Sequence, residues 1–101
     1  MAIHMTMDLP VTRADIERLS ADMGVRENPP DGLIAHAAME SPDGGIRVVD
    51  LWDTREHFET FRESRLGPAI EKALADGSIA LDGPPPEPQI SEAFDLVPGT
   101  A

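Results

Sequence analysis

The sequence predicts an α+β fold of the ferredoxin-like kind. Its elements run β-α-β-β-α-β, giving a four-stranded antiparallel sheet with two helices on one face. Three stretches predict it. Residues 2–9 alternate, with Ile3, Met5, Met7 and Leu9 on one side and His4, Thr6 and Asp8 on the other, the period of a half-buried strand. Residues 32–75 read as strand, turn, strand and helix. A last apolar segment, with Ile90, Phe94 and Leu96, follows a Pro-rich run.

Each element has its own signals. Pro10 ends the first strand, and Thr12 is a suitable N-cap for a helix from Arg13 to about Met23. Ile16, Leu19 and Met23 form its apolar stripe, and Gly24 is a natural stop. Residues 26–31, with Pro29-Pro30, form a loop. Leu33 to Met39 and Ile46 to Trp52 are strand-length apolar runs joined by Ser41-Pro42-Asp43-Gly44-Gly45, the pattern of a hairpin. Thr54 caps the next helix, whose stripe is Phe58, Phe61, Leu66, Ile70 and Leu74. Gly67-Pro68 predicts a break or kink there, with a second short helix starting near Pro68. Residues 83–88 are expected to be an extended connector, 90–97 the last strand, and 98–101 a tail.

The bulk numbers exclude several functions. The length of 101 residues suits one domain, spanning 1–101 with the Pro-rich connector inside it. Nineteen acidic against eight basic residues give a net charge of −11, which argues against nucleic acid and against an anionic membrane surface as partners. With no cysteine there is no disulfide, no thiolate nucleophile and no Cys-based zinc site. The N-terminal residues lack a basic region followed by an apolar run, and no apolar run approaches the roughly 18 residues of a membrane span, so a cytoplasmic protein is expected.

The string Val48-Val49-Asp50-Leu51-Trp52-Asp53-Thr54-Arg55-Glu56-His57-Phe58-Glu59-Thr60-Phe61 resembles the antibiotic biosynthesis monooxygenase-like family of the dimeric α+β barrel superfamily. The pattern is a strand ending in apolar-x-Trp, a Ser/Thr cap, an acidic residue and Phe-x-x-Phe. The runs Gly32-Leu33-Ile34-Ala35-His36 and Arg65-Leu66-x-Pro68 add to it. The resemblance implies a homodimer whose two sheets pack together. It also implies a small cofactor-independent enzyme acting on an aromatic or polyketide-like molecule. Haem-degrading relatives use an Asn on the first strand and a Trp and a His on the second helix. This chain has no such Asn, and the matching helix positions hold Phe61 and Glu71, so no haem is implied and no cofactor is expected.

Parity sorts the strand residues into two sets. Ile3, Met5, Met7, Leu33, Ala35, Ala37, Met39, Val49 and Leu51 are expected to face the helices. His4, Thr6, Ile34, His36, Val48, Asp50 and Trp52 form the other set. If Glu40 pairs with Ile46, His36 lies opposite Asp50, close enough for an imidazole–carboxylate hydrogen bond, and Ile34 lies opposite Trp52. One reading makes His36 a general base oriented by Asp50, with Trp52, Phe58 and Phe61 as substrate contacts. The other makes His36 and Asp50 a satisfied polar pair at a dimer interface, in a non-catalytic module that binds a small apolar molecule or another protein. Small Ala35 and Ala37 leave room for an apolar cavity lined by Met5, Met7, Val49, Leu51, Phe58 and Phe61. No metal site is expected, because the cross-strand spacing of His4, His36 and Asp50 does not set ligand geometry. His57 is expected on the helix surface, and Arg62 and Arg65 are expected to pair with Glu59 or Glu63.

Overall fold

The computed structural model describes residues 1–84 and 86–97, so one residue of the Pro-rich connector and the 98–101 tail lie outside the described part. The chain runs through β1 (Ile3–Leu9), α1 (Arg13–Met23), β2 (Leu33–Glu40), β3 (Ile46–Trp52), α2 (Arg55–Phe61), a π-helical turn (Arg62–Leu66), α3 (Gly67–Asp76) and β4 (Gln89–Glu92). The four strands form one antiparallel sheet in the order β2-β3-β1-β4. This is the predicted ferredoxin-like arrangement.

The Thr12 cap acts as predicted in α1. The Thr12 side chain accepts the Asp15 backbone N–H, and the Asp15 carboxylate accepts the Thr12 backbone N–H, a reciprocal capping box. The hairpin between β2 and β3 closes as Ser41 N–H donates to the Gly45 carbonyl at 3.0 Å. Gly45 sits at φ +79°, and a Cβ there would lie 2.6 Å from the Leu9 carbonyl oxygen. Only glycine fits that approach.

At Gly67-Pro68 the second short helix starts where predicted, with α3 opening at Gly67, but no break precedes it. The helix continues, and the chain inserts one π-helical turn so that the Gly67 N–H donates to the Arg62 carbonyl. Pro68 then falls in the first turn of α3, where its missing N–H costs no helical bond. Arg62 and Arg65 also differ from expectation. Arg62 reaches Glu87 at 3.4 Å, and Arg65 donates to the carbonyls of Met23 and Asn28, tying the helix to the loop after α1. The last strand is shorter than expected. β4 pairs with β1 only from Gln89 to Glu92, and Phe94 beyond it is 95% exposed.

The core lies between the sheet and the helices. Ile3, Met5, Met7 and Leu9 of β1 supply one layer, as predicted. In β3, however, Ile46, Val48, Asp50 and Trp52 face the helices, and Val49 and Leu51 face away. Antiparallel pairing requires this, because Met5 lies opposite Asp50 and Ile3 opposite Trp52, and directly opposed side chains share a face. β2 follows its neighbour: His36, Ala38 and Glu40 take the helix side, and Ala35, Ala37 and Met39 the open side. The predicted parity therefore holds for β1 and is inverted for β3 and for most of β2. A bulge between Leu33 and Ala35 returns Leu33 to the core opposite Trp52, in place of Ile34. The apolar cavity expected between Ala35, Ala37, Val49 and Leu51 and the helices has no place in this geometry.

Candidate functional site

Trp52 ends β3 at the centre of the core and is 0% exposed. Its ring packs on Phe58 and Phe61, with centroids 5.9 Å and 5.3 Å away. Phe58 is likewise fully buried, so Trp52 and Phe58 present no surface to solvent in this chain. The Thr54 cap and the Phe-x-x-Phe spacing turn both phenylalanines onto the sheet. The Thr54 hydroxyl accepts the His57 N–H and bonds to His57 Nδ1 at 2.8 Å. His57 is thereby held half-buried over Gly32 rather than free on the surface.

Asp50 is the buried charged residue of this core, with 5% of its side chain exposed. Both carboxylate oxygens are engaged. His36 Nδ1 lies 2.6 Å from Oδ1, and the Trp52 indole N–H donates to Oδ2 at 3.3 Å. A buried carboxylate is tolerable when its lone pairs are satisfied in this way. The predicted cross-strand pairing of His36 with Asp50 is the observed register. His36 is held by one nitrogen, and Nε2 has no protein partner among the described residues. Its side chain is 34% exposed. The hydrogen bond to Asp50 raises the His36 pKa above the ordinary 6.5, against burial and the Arg26 charge, which push it down.

His36 opens onto a cleft of about 660 Å³ between α1 and β2. Ala38, Glu40 and Ile46 line its sheet side, and Arg13, Ile16, Glu17, Ser20 and Ala21 line its helix side, with Arg26 and Glu27 in the loop that follows α1. The cleft is more polar than the expected cavity, because α1 turns charged residues toward the β2 edge. His4 lies on the opposite face of the sheet, so it is not brought to His36. Among the described residues no group of three or more His, Asp or Glu gathers around a point that could hold a metal. The role of Arg13 and the rest of α1 as a cleft wall, with Arg26 in the loop beyond it, has no sequence signal, since α1 shows only an apolar stripe and a polar remainder.

The arrangement is a carboxylate–imidazole pair with a free imidazole nitrogen at a cleft, backed by an aromatic core. The fold that carries it occurs in solved structures. Rv0793 from Mycobacterium tuberculosis superposes with a TM-score of 0.59 at 22% identity, over 94% of this chain and 95% of that one. The fold is shared with proteins named putative antibiotic biosynthesis monooxygenases. A "putative antibiotic biosynthesis monooxygenase" from Chloroflexus aurantiacus J-10-fl matches at TM-score 0.58 and 17% identity, over 98% and 100% of the two chains. A single-substitution mutant of SnoaB, a cofactor-independent oxygenase from Streptomyces nogalater, matches at 0.58 and 13% identity, over 97% and 96%. No protein-family model and no curated protein matches the chain. At these identities the likeness establishes the fold alone, and the residues of the site carry any statement about chemistry.

Proposed function

We propose that this protein is a small cofactor-independent monooxygenase-like enzyme acting on an aromatic or polyketide-like molecule. The observation that carries the reading is the His36–Asp50 pair, with its second imidazole nitrogen free at the cleft. His36 serves as the general base, and Asp50 holds its ring and stabilises the imidazolium it becomes. Trp52 holds Asp50 through the indole N–H rather than stacking on substrate, and Phe58 and Phe61 hold Trp52.

In the proposed reaction His36 Nε2 takes a proton from an acidic ring position of the substrate. The resulting anion gives up electrons to dioxygen and a C–O bond forms, leaving a hydroperoxide. The O–O bond then breaks as the carbon bearing it loses its remaining hydrogen. A CH₂ group becomes C=O, and the second oxygen atom leaves as water. The substrate supplies all the electrons, so no other reductant is consumed. The protein contributes orientation and the base.

The fold likeness to SnoaB supports this reading at the level of the fold. The exposed second face of β2, with Ile34 and Met39 each more than one-third exposed, supports a homodimer in which two sheets pack together. The test is oxygen uptake with phenols and polyketide-like aromatics. His36→Ala would leave Asp50 buried without its partner, so His36→Gln, which retains a donor toward Asp50, is the better variant. Loss of uptake in a folded His36→Gln protein is the expected result. Unchanged uptake would overturn the assignment of the base. Absence of uptake by the wild type across the panel would favour the non-catalytic binding module.

A further inference from the structure

We propose that Arg26 is the anion-binding residue of the His36 cleft, and that the substrate is an aromatic acid whose single carboxylate pairs with it. The inference rests on the reading of this cleft as the substrate site. Among the described residues, six of the seven arginines have partners. Arg13 pairs with Glu17, Arg18 with Asp15, Arg47 with Asp8, Arg55 with Glu59 and Arg62 with Glu87, and Arg65 donates to two backbone carbonyls. Arg26 has none, on a chain carrying nineteen carboxylates. It is also an arginine that shares the cleft with His36.

A guanidinium left unpaired beside a general base is suited to two tasks. It grips a carboxylate through its fork of donors, and its charge favours the anion that proton abstraction creates. The two groups are near enough for the Arg26 charge to act on His36. The remaining charged residues set a limit on the ligand. Arg13 is neutralised by Glu17 at 2.9 Å, and Glu27 and Glu40 also line the cleft. Such a wall accepts one negative charge at Arg26 and repels a polyanion such as a nucleotide or an oligophosphate. A flat ring suits the remaining surface, where Ile16, Ala21, Ala38 and Ile46 supply apolar contact.

The test compares 6-hydroxy-2-naphthoate with its uncharged carboxamide by titration calorimetry, on the wild type, Arg26→Gln and Arg26→Lys. The acid is expected to bind the wild type about tenfold more tightly than the amide, the effect of one charge-assisted contact in a partly open site. Arg26→Gln should weaken the acid by about that factor and leave the amide unchanged, and Arg26→Lys should recover part of the loss. Equal binding of acid and amide by the wild type, a preference that survives Arg26→Gln, or failure of the acid to bind the wild type would each overturn the proposal. Oxygen uptake separates this from the catalytic reading. Arg26-dependent binding of the acid with no uptake from any substrate removes the oxygenase and keeps the anion site. Uptake from neutral phenols without an acid preference does the reverse.

Discussion

At the residue scale, the properties of His36 follow from its partner. A histidine whose folded pKa is raised contributes stability that is fully present below the unfolded value near 6.5 and is lost as the pH rises through the folded value. Denaturant unfolding of the wild type should therefore show this contribution at pH 6 and its loss on the alkaline side. Asp50→Asn should flatten that dependence. The base must be neutral to act, so activity should rise with pH through the same raised value. In Asp50→Asn the acid limb of the pH–rate profile should move toward 6.5 and turnover should fall. General-base catalysis accounts for roughly a hundred- to ten-thousand-fold in rate, which is the loss expected on turnover for His36→Gln. An acid limb unmoved by Asp50→Asn would show that another group titrates. Trp52→Phe keeps an aromatic ring in the core and removes the N–H that Asp50 Oδ2 accepts. It should cost about 1–3 kcal/mol in unfolding free energy, the penalty of a buried acceptor left unmade.

At the element scale, two connections fix where the site residues point. Gly32 enters β2 at φ +82°, and a Cβ there would lie 2.3 Å from His57 Cγ. Gly32→Ala meets both a strained backbone and the start of the His57 side chain, which Thr54 holds in place. It should destabilise by about 1–3 kcal/mol from the backbone alone, with the clash added, as thermal unfolding would measure. A change below about 0.5 kcal/mol would mean that His57 moves away freely. The capping box of α1 matters for the cleft because α1 forms one of its walls. Thr12→Ala should cost about 1 kcal/mol of stability. The Thr12 cap, the hairpin loop and the Thr54 cap were all legible in the sequence, because each is a local contact between residues three or four apart. The π-helical turn was not. Gly67-Pro68 signals that the helical bond pattern must change there, but a break, a kink and a one-residue insertion all answer that signal.

At the scale of the whole molecule, the sheet has one face under helices and one uncovered. The uncovered side of β2 presents Ala35, Ala37 and Met39. The homodimer proposed above would bury them, and sedimentation should then give twice the monomer mass. Ala37→Glu should shift the protein toward monomer while leaving its far-UV spectrum unchanged. A wild type that sediments as a monomer at micromolar concentration would overturn the dimer. No helix among the described residues is long and apolar enough to cross a membrane.

The sequence by itself determined the element order and the caps, and it set His36 opposite Asp50 on the condition that Glu40 pairs with Ile46. These rest on short-range hydrogen bonds and on loop length, which a linear chain encodes directly. The tertiary structure alone decided which face of the sheet that pair occupies. β3 carries apolar residues on both sides, Val48 and Trp52 on one and Val49 and Leu51 on the other, so hydrophobicity could not choose between them. An aspartate usually argues for the solvent side. Here it is buried because His36 and the Trp52 indole satisfy both of its oxygens, and Trp52 fills the core against Phe58 and Phe61. The same inversion places His36 under α1 and beside Arg26, a residue ten positions upstream in a loop that no periodicity marks.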